Sequence, residues 1–170
     1  FNPNIPTEEN FCMPHNKKIN GVVVATKPLN YGGKLIEDFS LTFKDGKVVD
    51  FDAKKEKEAL KSLIEFDKGS SSLGEVALIS HDSPISNMNI LFYNTLFDEN
   101  ASCHLALGAS YTTTNLKDAE KYSEEELDAL GSNQSHTHVD FMFGSKDMEI
   151  IGTKKDGSKV VVFKDGRFVI

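Results

Sequence analysis

The sequence predicts an α+β fold, a strand-dominated domain with a few short helices. Three observations carry that reading. Short runs rich in Val, Ile, Leu and Phe recur along the chain, and several are joined by Asp-Gly pairs that favour tight hairpins. Only three stretches read as helix, by spacing or by a capping signature.

Residues 1–16 carry three prolines and little periodicity, and read as an extended loop. Gly21-Val22-Val23-Val24-Ala25-Thr26 is strand-like, and residues 28–33 form a turn-rich connection. Residues 35–43 and 47–51 flank Lys44-Asp45-Gly46, a hairpin signal. Over residues 53–65, Ala59, Leu60, Leu63 and Ile64 recur at helical spacing amid Lys and Glu, and Gly69 with Ser70, Ser71 and Ser72 marks the end of that helix. Gly74-Glu75-Val76-Ala77-Leu78-Ile79 is again a strand. Residues 91–100 fit a short helix, with residues 103–107 extended after it. Ser123-Glu124-Glu125-Glu126 is a capping box opening a helix to about Leu130, and Gly131 is a natural stop. Strands follow at residues 139–143, 149–152, 160–163 and 168–170, with turns at Asp156-Gly157 and Asp165-Gly166. There is no internal repeat and no low-complexity tract.

A chain of 170 residues fits a single domain, 1–170, with room for a core. Its net charge of -7 argues against nucleic acid or an anionic membrane as the main partner. No apolar run approaches the roughly 20 residues needed to span a bilayer. Two cysteines, Cys12 and Cys103, are too few for a disulfide framework and suit reduced thiols in a cytoplasmic protein. The opening Phe1-Asn2-Pro3-Asn4-Ile5-Pro6 reads as an interior segment of a longer protein.

The chemistry concentrates in acids and imidazoles. In Thr137-His138-Val139-Asp140-Phe141-Met142-Phe143, strand alternation puts His138 and Asp140 on one face, within a segment that wants burial. A buried carboxylate beside a histidine is costly without a cation, and a divalent metal takes both donor types. Glu75 lies on a strand face with Leu73, Ala77 and Ile79; it is paired, protonated or metal-bound if that face is core, and solvated if the strand is an edge. Glu99 and His104 bracket a five-residue step, which is not helical ligand spacing, so the segment bends between them. Glu8 and Glu9 follow Ile5-Pro6-Thr7: either both are solvated, or one ligates metal while its neighbour handles a proton. His136 shares the face of His138 if the strand begins early, and otherwise belongs to the loop. Tyr111 is either a core tyrosine or a hydrogen-bond donor to a developing oxyanion. Cys103 neighbours His104, but adjacent strand residues point apart. Phosphate-cradling glycine loops, a G-x-S-x-G elbow and an H-E-x-x-H helix are all absent.

With those residues in view, the chain resembles the C-terminal catalytic part of the M29 metallo-aminopeptidase family, the group of aminopeptidase T, AmpS and PepS. Five ordered blocks carry the resemblance: Asn4-Ile5-Pro6-Thr7-Glu8-Glu9; Lys27-Pro28-Leu29-Asn30-Tyr31-Gly32-Gly33; Leu73-Gly74-Glu75-Val76-Ala77-Leu78; Phe92-Tyr93-Asn94-Thr95-Leu96-Phe97-Asp98-Glu99-Asn100-Ala101-Ser102 with His104; and Thr137-His138-Val139-Asp140-Phe141-Met142. The resemblance implies metal ligands at Glu9, Glu75, Glu99, His104, His138 and Asp140, with Tyr111 matching the active-site tyrosine. It implies two divalent ions (zinc, cobalt or manganese), hydrolysis of N-terminal residues from peptides by metal-activated water, and a homodimer. It also implies an N-terminal α/β domain that this chain lacks, which would make residues 1–170 the metal-binding C-terminal domain of a two-domain, thermophilic-metalloprotease-like enzyme. His136 stands where an apolar residue is usual in the family. Four carboxylates would nearly balance two such ions, and Glu8 suits a proton shuttle. Two other readings compete: a non-catalytic metal-binding and dimerisation domain that needs the absent part for activity, and a β-rich binding module with these groups on a solvated surface.

Overall fold

The computed structural model describes residues 7–170; the Asn4-Ile5-Pro6 part of the first sequence block lies outside the described residues. Among them, strands β1 (Asn10–Cys12), β2 (Gly21–Val24), β3 (Leu29–Tyr31), β4 (Lys34–Lys44) and β5 (Lys47–Lys55) precede helix α1 (Lys57–Ile64) and strand β6 (Leu73–Leu78). Short helices α2 (Pro84–Met88) and α3 (Thr95–Asp98), with a 3-10 turn at Glu99–Ala101, lead to β7 (His104–Gly108). Helices α4 (Thr112–Asn115) and α5 (Glu124–Ala129) come before β8 (His138–Met142), β9 (Ile150–Thr153), β10 (Lys159–Lys164) and β11 (Arg167–Phe168). The fold is α+β and strand-dominated, as the apolar patterning predicts.

Hairpin chemistry sets much of this. Asp45 and Gly46 both take positive φ between paired Lys44 and Lys47, as do Asp165 and Gly166 between Lys164 and Arg167, the backbone that a two-residue mirror-image turn requires. Gly32 and Gly33 do the same for β3 and β4. So the region expected as turn is itself a hairpin, with Leu29–Tyr31 paired to β4. Two helices are shorter than their periodicity suggests. Residues 53–55 stay on β5 because Ala53 and Lys55 pair with Phe39 and Glu37, and α1 starts only after Glu56 takes a left-handed conformation. Tyr93, also left-handed, delays the helix expected from residue 91, and the Asn94 side chain caps it at Leu96. The capping box on Ser123 and Glu126 forms as expected.

Three sheets result: β1-β6-β7-β8, β2-β4-β3 with β5 on β4, and β11-β10-β9. The main core lies between the first sheet and the second. Leu73, Leu105, Leu107 and Phe141 pack there against Leu29, Ile36, Phe39 and Leu41 and the buried face of α1. Fully burying such side chains stabilises by about 1.5–3 kcal/mol each. One face of the β1-β6-β7-β8 sheet is thereby committed to hydrocarbon, which leaves its opposite face to carry polar groups.

Candidate metal centre

The register of the antiparallel sheet assembles the centre. Across three strands, Glu75, Ala106 and Asp140 form one row, Ala77, His104 and Met142 the next, and His138 pairs with Gly108. Cross-strand partners share a face, so Glu75, His104, His138 and Asp140 stand together, while Val76, Leu105, Val139 and Phe141 face the core. Ala106, fully buried between Glu75 and Asp140, offers only a methyl group and leaves room for the carboxylates to converge.

One expectation needs correction. Leu73 does not share the face of Glu75, although the two stand two positions apart, with only Gly74 between them. The ladder slips between them, so Leu73 pairs with core-facing Leu107 whereas Glu75 pairs with Ala106. A bulge of this kind re-aims side chains along a strand, and here it directs Glu75 away from hydrocarbon. The strand is interior, paired by β1 and β7, so Glu75 is buried, not solvated at an edge.

Glu99 arrives by the bend predicted between it and His104: α3 and the 3-10 turn end at Ser102, which is fully extended, and β7 follows. The donor atoms then form three overlapping triads. Those of Glu9, Glu75 and His104 all lie within 4.8 Å of one another, as do those of Glu75, His138 and Asp140, and those of Glu99, His104 and Asp140. His104 Nε2 is 3.4 Å from Glu75 Oε1 and 3.7 Å from Glu9 Oε1. His138 Nε2 is 3.7 Å from Glu75 Oε2 and 3.4 Å from Asp140 Oδ1. Glu75 therefore turns one oxygen toward each imidazole. Both rings are oriented through their other nitrogen: His138 Nδ1 donates to the Ala109 carbonyl at 2.7 Å, and His104 Nδ1 lies 3.2 Å from the Ser102 carbonyl. That leaves Nε2 of each facing the carboxylates.

The electrostatics describe a site short of positive charge. Burial and then the adjacent Asp140 push Glu99 up to about 10. Burial works to lower His138, but the Asp140 carboxylate outweighs it and lifts the imidazole to about 9. His104 is likewise raised despite its burial, by Glu75, Asp140 and Glu9. Among the described residues, His104 Nε2 and Asp140 Oδ1 are buried without a hydrogen-bond partner, an expensive state that a coordinated cation would relieve. The donors fit divalent ions that take imidazole and carboxylate together.

A cavity of about 200 Å³ opens beside these groups, lined by Phe11, Glu75, Thr95, Leu96, Glu99, Tyr111, His138 and Asp140. The Tyr111 ring packs on the His138 ring at 4.7 Å between centroids and edge-on to Phe11 at 6.5 Å, and the residue lines the cavity and is 40% exposed, so Tyr111 is not a core residue. Burial, and then the surrounding carboxylates, raise its phenol above the ordinary value. Glu8 is exposed, one residue before Glu9. His136 belongs to the loop before β8, exposed, its amide bonded to Asp67. Cys103 points away from the centre toward the Ile79 backbone, and both cysteines are free thiols. Phe11, Thr95 and Leu96 were not singled out by sequence reasoning. Leu96 and Thr95 precede Glu99 by three and four residues, a helical spacing that could have flagged them.

Buried acids and imidazoles on one face of a sheet, beside an open cavity, define a class of divalent-cation-binding protein with access for a ligand. Residues 1–168 match the family model described as thermophilic metalloprotease (M29). The chain is 56% identical over 168 residues to aminopeptidase 2 of Geobacillus stearothermophilus and 54% identical over 168 residues to aminopeptidase AmpS of Bacillus subtilis, covering 99% of this chain and 40% and 41% of those proteins. Among solved structures it resembles wild-type AmpT from Thermus thermophilus, with a TM-score of 0.90 and 41% identity over 99% of this chain and 41% of that one. The chain belongs to the M29 thermophilic metalloprotease family, and that membership implies a divalent metal cofactor. It spans about 40% of the length of the curated relatives it matches.

Proposed function

We propose that this chain is the metal-binding catalytic domain of a metal-dependent aminopeptidase, which removes N-terminal residues from peptides. Glu9, Glu75, Glu99, His104, His138 and Asp140 would hold two divalent ions (zinc, cobalt or manganese), with Glu75 placed to serve both. The observation that carries this reading is the set of three overlapping donor triads, in which His104 Nε2 and Asp140 Oδ1 are buried without a hydrogen-bond partner among the described residues. The names of the relatives, all aminopeptidases, support the substrate class. When bound, such ions polarise a carbonyl and make water nucleophilic at neutral pH.

The chain's own groups supply the rest. Phe11, Leu96 and Tyr111 give the cavity an apolar wall against which a peptide's terminal residue can seat. Tyr111, whose raised pKa keeps its phenol protonated at neutral pH, donates a hydrogen bond to the oxyanion as the scissile carbonyl becomes tetrahedral. Glu8, exposed beside Glu9, shuttles the proton from the attacking water to the leaving amine. The cytoplasmic location and the homodimer belong to the same proposal; the first rests on the two cysteines being free thiols, the second on the family resemblance.

A second reading is favoured by the coverage of about 40%: residues 1–170 bind metal and form a dimer, and turnover needs an N-terminal α/β domain. Leucyl anilide hydrolysis with cobalt or zinc, run on this chain and on a longer one, separates the two readings. On the first, Tyr111→Phe lowers kcat about a hundredfold or more with metal content unchanged, and Glu8→Gln lowers kcat while binding metal normally. Failure to bind a stoichiometric ion after reconstitution would overturn both readings.

A further inference from the structure

The backbone at residues 108–110 serves as a shelf for the centre. Its middle carbonyl, Ala109 O, accepts the 2.7 Å hydrogen bond from His138 Nδ1 that turns Nε2 toward Glu75 and Asp140. Tyr111 follows directly and packs on the same imidazole. What holds the shelf is a residue outside the donor cluster. Asn133, in the loop between α5 and β8, is 5% exposed. Its side-chain amide donates to Gly108 O at 2.6 Å and to Gly69 O at 2.8 Å. Its backbone N–H donates to Ser110 Oγ at 3.0 Å, and its carbonyl accepts from the Ser110 N–H at 2.9 Å. Three of these four bonds grip the residues on either side of Ala109. Ala109 N–H is itself tied to the Thr137 carbonyl at 2.7 Å, and Gly108 N–H to Ser72 O at 2.9 Å.

We propose that Asn133 is a positioning residue for the centre, clamping the Gly108–Ser110 backbone so that the Ala109 carbonyl orients His138 and Tyr111 stays beside it. This rests on the reading of His138 as a ligand. The residue type is specific: an amide supplies two donors from one planar nitrogen to two carbonyls that lie 25 and 64 positions away in sequence. Aspartate, equal in size, would set oxygen against both carbonyls, and alanine would leave both buried acceptors unpaired. A partner of a ligand's partner matters because imidazole direction governs how well Nε2 meets a cation.

The test is histidine ¹⁵N NMR on the full chain, metal-free, with Asn133→Asp and Asn133→Ala. In the unaltered chain the Nδ1–H protons of His138 and His104, each facing a backbone carbonyl, should both resist exchange with solvent. The variants should lose protection at His138 and keep it at His104, whose Nδ1 faces Ser102 and not the shelf. They should also bind zinc about 10–100-fold more weakly, and, where hydrolysis is measurable, show kcat reduced by a similar factor with KM changed less than about threefold. Because exchange is read without metal or substrate, a chain without peptidase activity still decides the proposal. Protection retained at both histidines, or lost at both together, would overturn it. If neither variant folds, Ser110→Ala removes one grip only; faster exchange confined to His138 supports the clamp, and unchanged exchange rejects it.

Discussion

Asp67, in the turn after α1, does for the loop before β8 what a helix cap does for a helix end. Its carboxylate accepts from the amides of Gly69 at 2.7 Å, Ser70 at 2.9 Å and His136 at 2.7 Å, and from the Ser135 hydroxyl at 2.9 Å. Burial works to raise its pKa, but these donors prevail and hold the carboxyl below the ordinary value. A carboxyl depressed in the folded state stabilises fully above its unfolded pKa, and that contribution fades as pH falls through the folded value. Asp67→Asn should therefore destabilise the chain by about 1–3 kcal/mol at pH 7, and by clearly less near pH 3, as read from urea midpoints at the two pH values. A constant deficit at both would mean that the carboxylate charge is irrelevant there. Neither Asp67 nor Asn133 stands out in the sequence, because the partners that tie each to another segment are distant: Ser135 and His136 lie 68 and 69 residues from Asp67, and Gly108 and Gly69 lie 25 and 64 from Asn133. His138 and Asp140 do stand out, since two-residue alternation is written locally.

At the scale of elements, β6 shows how one irregular position decides which face a ligand takes. Alternation places Leu73 and Glu75 together; the slip at Gly74 separates them, sending leucine to the core and glutamate to the donors. Gly74 is also where the Ala109 carbonyl passes, since a Cβ there would sit 2.1 Å from that oxygen. Backbone at that distance cannot yield cheaply. Gly74→Ala should cost about 1–3 kcal/mol in folding, as overpacking does, and weaken metal binding beyond what lost stability explains, because the displaced carbonyl is the one that orients His138. Calorimetric zinc titration beside a thermal melt checks both; a variant with normal zinc affinity would show that the carbonyl has room to move. The strands, the Asp-Gly hairpins and the Ser123 capping box are legible because they rest on short-range rules. The bulge and the late start of α3 are not, because pairing with distant strands and the left-handed Tyr93 determine them.

For the molecule as a whole, four carboxylates and two imidazoles sunk on one sheet face leave the metal-free protein dependent on bound protons. His138, raised from 6.5 to about 9, contributes stability that is complete below 6.5 and lost as pH climbs through 9. Glu99, raised from 4.5 to about 10, keeps in the folded state a proton that the unfolded chain has released, so it too makes stability fall across that range. The metal-free chain should melt several degrees lower at pH 9 than at pH 6. Saturating zinc or cobalt should raise Tm at both, and more at pH 9, where protons compete less for the donors. A metal-free Tm that rises toward alkaline pH would contradict the geometry of the cluster. The sequence by itself determined the strand-dominated class, the hairpin turns and the pairing of His138 with Asp140, because each depends on neighbours a few residues apart. Only the tertiary structure decided that Glu9, Glu75, Glu99 and His104 meet them, which way Glu75 points, and what braces the shelf behind His138. Those outcomes depend on cross-strand register and on hydrogen bonds between distant segments, which no local pattern encodes.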